Sequence, residues 1–194
     1  MNSFHLIYLQ ALLLIFICSC SFKQETEDRV KFYEYKSVDT EKYEITPLIY
    51  DYEFSKKDSI LRFHYKQVAA TNQFEFLIYV YAEDNSIFKN GFYLRNGEEI
   101  KLECLVQKKY KIEEKTHNIY LLHYKVGTID GENYVCLSKE FGMIIKKHQT
   151  WNYFWQIHTD NQDLLHLISV VNNDSEILEL YKNEVAISPP PVMN

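Results

Sequence analysis

Ser86 and Lys89 stand at the S-x-x-K spacing that, on a helix, places an amine one turn from a hydroxyl and makes an acyl-enzyme nucleophile. Asn85 and Asn90-Gly91 surround the pair with loop formers, and the partner motifs S-D-N and K-T-G do not occur. Acyl transfer therefore has little support. The histidines after the first twenty residues are His64, His117, His123, His148, His158 and His166, and no two fall at i,i+2 or i,i+4 spacing. There is no H-E-x-x-H and no Cys-x-x-Cys. A metal site would have to be assembled across strands, for instance from His123, Cys136 and a carboxylate. The sequence points to no metal and no cofactor. Glu98-Glu99 and Glu113-Glu114 lie in predicted turns, where paired carboxylates are usually solvated charge; glycoside hydrolysis would need two of them held across a cleft. Lys108-Lys109-Tyr110-Lys111 reads as an exposed hairpin end, or as a contact for an anionic partner.

Aromatic residues give a more specific pattern. On a strand, Trp151, Tyr153 and Trp155 would share one face, with Phe154 on the other. Such a row stacks on sugar rings or accepts an acyl chain when exposed, and forms the core side of a sheet when buried. Cys104 and Cys136 form a possible disulfide pair. A bridge would close a loop of roughly 33 residues and stabilise by about 3.7 kcal/mol through chain entropy; the alternative is two buried free thiols.

These residues need strands to hold them. Sixteen Tyr and twelve Phe against five Gly and four Pro favour strands over loops or disorder. Val30–Val38 alternates weakly and Tyr43–Phe54 is irregular, with Pro47 inside it, so both read as edge strands or extended packing segments. Leu61, Phe63 and Tyr65 share the buried face of a strand, and Arg62, His64 and Lys66 its polar face. Phe74–Tyr81 fits a central strand. Asn96-Gly97 between two apolar runs predicts a tight hairpin, after which Ile100, Leu102, Cys104 and Val106 share a face. A further pair is expected around Glu113–His117, and turns at Asp130-Gly131 and Ser138–Gly142. Leu164, Leu167, Ile168 and Val171 then fall at helical spacing, with Asp160 as a plausible cap and Ser175 opening a second short helix. The expected fold class is mainly β (α+β): an antiparallel curved sheet or half-open barrel with one or two C-terminal helices.

Residues 1–19 contain no charged side chain, and their apolar core Leu6–Ile17 has the length of a signal-peptide hydrophobic region. Ile17-Cys18-Ser19-Cys20 resembles the lipobox of bacterial lipoproteins, with Cys20 as the residue that would carry lipid. That resemblance implies cleavage before Cys20 and stable anchoring by two or three acyl chains. The polar run Ser21–Asp28 reads as a tether, and also resembles the acidic export tag of Bacteroidota-type surface lipoproteins. Asp58-Ser59-Ile60 resembles the O-glycosylation sequon of those bacteria. The segment from Tyr134 to Ile144, centred on Ser138-Lys139-Glu140-Phe141-Gly142, resembles a hairpin of uncharacterised β-rich envelope lipoproteins and, more loosely, of Lol-type half-barrels. It implies a fold and no chemistry.

The expected organisation is a signal peptide over 1–19, a tether over 20–30, one domain over 31–187 and a Pro-rich tail over 188–194. A net charge of −6 argues against nucleic acid as a partner. The expectation is a protein of the cell envelope, tied to the outer membrane through Cys20, that binds a hydrophobic, glycan or protein ligand without catalysis. The alternatives are a hydrolase of an envelope or extracellular polymer and an accessory subunit of an outer-membrane assembly. An apolar cavity would favour carriage, facing carboxylates hydrolysis, and a flat exposed aromatic patch assembly.

Overall fold

A computed structural model of the chain describes residues 28–37, 43–68, 74–83, 87–126, 131–148 and 153–182. Residues 1–19 (for which a signal peptide is expected), Cys20, Ser86, Trp151 and the Pro-rich tail lie outside them. Ten strands follow one another: β1 Asp28–Ser37, β2 Tyr43–Lys57, β3 Ile60–Gln67, β4 Glu75–Glu83, β5 Ile87–Arg95, β6 Glu98–Ile112, β7 Lys115–Lys125, β8 Glu132–Ser138, β9 Gly142–His148 and β10 Tyr153–His158. Among the described residues two helices follow, α1 Gln162–Asn172 and α2 Ser175–Lys182. Each strand pairs antiparallel with its sequence neighbours, and β1 also pairs with β10.

The fold is mainly β, an antiparallel barrel with C-terminal helices as expected, and the barrel is closed and up-and-down rather than half-open. β1 is its seam, with Phe32 opposite both Leu48 of β2 and Ile157 of β10. β1 and β2 are full members of the wall, and β1 begins at Asp28, before the domain start expected at 31. Closure leaves no edge strand, and unpaired edges remain where β5 and β6 part before Gly91 and beyond Leu102. It also encloses a wide interior, because barrel diameter grows with strand number and about eight strands already leave just enough room for side chains. The wealth of aromatic residues meets that demand. Phe32, Tyr50, Phe63, Tyr65, Phe76, Tyr93 and Tyr124 are each no more than 2 % exposed. Tyr65 stacks on Phe76 with centroids 4.7 Å apart, and Tyr93 on Tyr124 at 4.4 Å.

The Asn96-Gly97 hairpin forms as expected, with φ of 52° and 80°, the paired positive values of a type I′ turn. Two bulges alter the faces beyond it. The ladder between β6 and β7 shifts between Cys104 and Val106, so Leu102 and Cys104 face inward with Leu122, while Val106 lies on the outer side opposite Leu121. A second shift, between Cys136 and Leu137, reorders the pairing of β8 with β9. Cys104 and Cys136 are free thiols. They sit on β6 and β8, separated by β7, and face opposite sides of the wall, which rules out the bridge in this arrangement.

The segment over 164–171 is helical. Asn161, rather than Asp160, caps α1 by accepting a hydrogen bond from Leu164 N–H at 3.1 Å. Asp174, rather than Ser175, caps α2, its Oδ1 accepting from Glu176 N–H and Ile177 N–H. α1 buries Leu164, Leu167, Ile168 and Val171. It is fastened to the outside of the barrel by Asn172 to Gln156 of β10, Lys115 to Asp163, and Lys108 and Tyr110 to Asp174. Burial opposes the charge of Asp174, but the hydrogen bonds from Lys108, Tyr110 and Ile177 N–H outweigh it and hold the carboxyl below its ordinary range. This docking covers outer-face residues such as Leu121 and Cys136, both fully buried.

The β8–β9 turn has a definite task. Ser138 Oγ accepts hydrogen bonds from Glu140 N–H at 3.2 Å and Phe141 N–H at 3.3 Å, and donates to Glu140 Oε2. Gly142 follows at φ 74°. A Cβ there would stand 2.5 Å from the Tyr65 hydroxyl and 2.9 Å from that of Tyr52. The same Tyr65 hydroxyl accepts from Met143 N–H at 2.7 Å, so the turn is locked onto the barrel interior. Gly142→Ala is expected to destabilise the fold by about 1–3 kcal/mol through combined backbone and steric strain, read as a lower urea midpoint. Gly97→Ala serves as the control for positive φ alone, since nothing lies within 4 Å of its Cβ position.

Candidate functional site: a buried amine and a side cleft

Inside the barrel, polar groups gather toward the end that carries the Asn96-Gly97 turn. On β9, Lys146 pairs across the ladders with Val135 and Trp155, and its side chain points inward. It is 5 % exposed. Its ammonium lies 4.4 Å from the Trp155 ring centre, 5.6 Å from Tyr93, 5.8 Å from Phe76 and 5.9 Å from Tyr124. Among the described residues no carboxylate comes within ion-pair distance of it, so ring faces are its main electrostatic support. Burial pushes the amine down to about 7, the charge of Arg95 pushes the same way, and Glu34 partly opposes them.

Glu34 is occupied elsewhere, its Oε1 accepting a hydrogen bond from the Trp155 indole N–H at 2.7 Å. The Arg95 guanidinium lies 4.4 Å over the Phe74 ring, with its Nε buried and unpartnered. The hydroxyls of Tyr52, Tyr93 and Tyr124 are likewise buried without a hydrogen-bond partner of good geometry. Burial raises the phenol of Tyr93 to about 12, which keeps it a neutral donor. His148 and Tyr153 stack at 5.1 Å nearby. Unsatisfied buried donors are rare in folded proteins and call for an explanation.

The second feature is a gap in the wall. β5 pairs with β6 only from Gly91 to Arg95, against Leu102 to Glu98. Before Gly91, β5 follows β4, and beyond Leu102 β6 follows β7, so the two strands part. The resulting cleft has a volume of about 1290 Å³. Phe88, Leu102, Cys104 and Tyr124 line its depth, and Lys89, Lys101 and Lys125 stand at its rim with Phe92, Glu103 and His123. The Phe88 N–H donates to Gln107 Oε1 across the gap at 3.0 Å. Burial lifts the Cys104 thiol to about 11, so it is no nucleophile at neutral pH. Tyr124 belongs both to this cleft and to the rings around Lys146.

The residues singled out by spacing are distributed as follows. Tyr153 and Trp155 do share a face, and it is the inner one, which places Trp155 against Lys146. Lys89 pairs with Glu83 at 2.6 Å. His64 bridges Glu53 and Glu75 on the outer wall, His123 lies by Glu103, and His117 stacks on Phe141 near Glu140. Among the described residues, no three His, Cys, Asp or Glu side chains converge as a metal would require. Lys146, Arg95 and Glu34 escaped the sequence reading. The one available signal was a lysine inside the apolar run Met143–His148, and adjacent Lys147 carries the same signal while lying on the outer side. No protein-family model, curated protein or solved structure matches the chain.

Lys146 also leaves a trace in stability. Its folded value of about 7 lies below the ordinary 10.5, so between these limits the unfolded chain binds the extra proton. Stability from this group therefore rises with pH across that window, by a few kcal/mol at most. Lys146→Met is expected to raise the urea midpoint at pH 7 and to flatten its climb toward pH 9.5. An unchanged slope would show that the amine is not desolvated in solution.

Proposed function

We propose that the protein is a lipid-anchored component of the bacterial cell envelope, held at the outer membrane through Cys20, whose barrel binds an amphipathic small molecule in the cleft between β5 and β6. The observation that carries this reading is the cleft itself. Its depth is apolar, its rim holds three lysines, and its volume of about 1290 Å³ exceeds what a drug-sized ligand needs. Apolar side chains below a rim of lysines, two of them paired with Glu83 and Glu132, suit an acyl-like body with a polar or anionic end. The inward aromatic residues of β10 serve this function as the far wall of the interior rather than as an exposed stacking platform.

Two experiments test the two halves. Cys20→Ala is expected to move the processed protein from the membrane fraction to the soluble one, as fractionation and blotting would reveal; retention on membranes after cleavage would defeat the anchor. For the cleft, the neutral apolar dye N-phenyl-1-naphthylamine is expected to brighten on binding to the purified Cys20→Ala chain. Cys104→Trp fills the cleft and is expected to weaken dye binding at least tenfold with an unchanged circular dichroism spectrum. Equal binding to the filled and open forms would remove the cleft as the site.

A second reading, an accessory role in an envelope assembly, has one observation in its favour. On the outer face of β1, β2 and β10, Ile45 and Ile49 are 45 % and 42 % exposed. They neighbour a strip of rings in which Tyr35 stacks on Phe154 at 4.7 Å.

A further inference from the structure

The interior cluster around Lys146 has donors and charge without a matching acceptor. Lys146 has no ion-pair partner among the described residues, Arg95 Nε makes no hydrogen bond, and the hydroxyls of Tyr93 and Tyr124 have only one another, in poor geometry. Glu34 is engaged by Trp155. With both basic groups charged, the two cations and one carboxylate leave a single positive charge in a setting where uncompensated charge is costly. One singly charged acceptor would neutralise it and satisfy the open donors.

We infer that Lys146 and Arg95, with the hydroxyls of Tyr93 and Tyr124, form a head-group site for a monoanionic carboxylate whose apolar tail lies in the cleft between β5 and β6. This rests on the cleft being the ligand site. Tyr124 connects the two, since its ring lines the cleft and also stands 5.9 Å from the Lys146 ammonium. A tail lying against Phe88 and Leu102 ends at Tyr124, and the head reaches the amine when that ring swings aside. A planar carboxylate can accept from Arg95 Nε and the ammonium together. A dianionic phosphate would overfill the single positive charge. Other titratable groups facing the cluster are Tyr50 on β2, His148 on β9 and Tyr153 on β10.

The test is competition against bound N-phenyl-1-naphthylamine by dodecanoate, dodecanol and dodecyl phosphate, with the purified Cys20→Ala chain. Dodecanoate is expected to bind at least tenfold more tightly than either of the others. Lys146→Met keeps the side-chain volume and removes the charge; it is expected to abolish the preference for dodecanoate while dodecanol binding stays within about twofold. Arg95→Met is the second variant, expected to weaken dodecanoate in the same selective way. Dodecanol and dodecanoate binding equally, phosphate binding tightest, or a preference that survives both substitutions would each overturn the head-group site while leaving the cleft in place. Failure of all three compounds to displace the dye would overturn the cleft reading itself.

Discussion

The pairing of β1 with both β2 and β10 is the constraint from which the rest follows. It turns ten strands into a closed wall, and a closed wall of that size has to be filled. Aliphatic side chains alone would leave voids, and voids forfeit contacts that a marginally stable fold needs. Rings of Tyr, Phe and Trp fill the space instead. They bring hydroxyls and indole N–H groups into a region without water, so the interior becomes aromatic and polar at once.

That interior changes the chemistry of what it encloses. An amine that would be an ordinary exposed cation on the outer wall loses its hydration on the inner one. Ring faces return part of the lost stabilisation, and Arg95 takes some away. The same dryness keeps the phenols protonated and the Cys104 thiol unreactive.

The sequence makes local structure legible where one face is buried and the other wet. β3 alternates cleanly for that reason, Asn96-Gly97 marks its turn, and the change to helical spacing at Leu164 is plain. Closure is not legible, because β2 exposes Ile45 and Ile49 outside while burying Tyr50 and Tyr52 inside, which blurs its period. The two bulges hide more. A bulge adds one residue and reverses inside and outside for everything beyond it. Val106 consequently leaves the face it shares by spacing with Cys104, and nothing in the run Ile144-Ile145-Lys146-Lys147 says which lysine is buried. Of the two alternatives for Cys104 and Cys136 the free thiols are found for the same reason, since the two cysteines end on opposite sides of one wall.

The strand directions also set a posture. The chain enters the barrel at Asp28, at the end of the tight Asp58-Ser59 and Glu113-Glu114 turns, whereas Arg95, His148 and Tyr153 crowd the opposite rim. From Cys20 to Asp28 an extended chain reaches at most about 28 Å. On the proposed anchor, the barrel stands with its Asp28 end toward the bilayer and its Arg95 end away. A molecule leaving the membrane then meets the Asp28 end first, and the cleft between β5 and β6 lies in the side wall behind it.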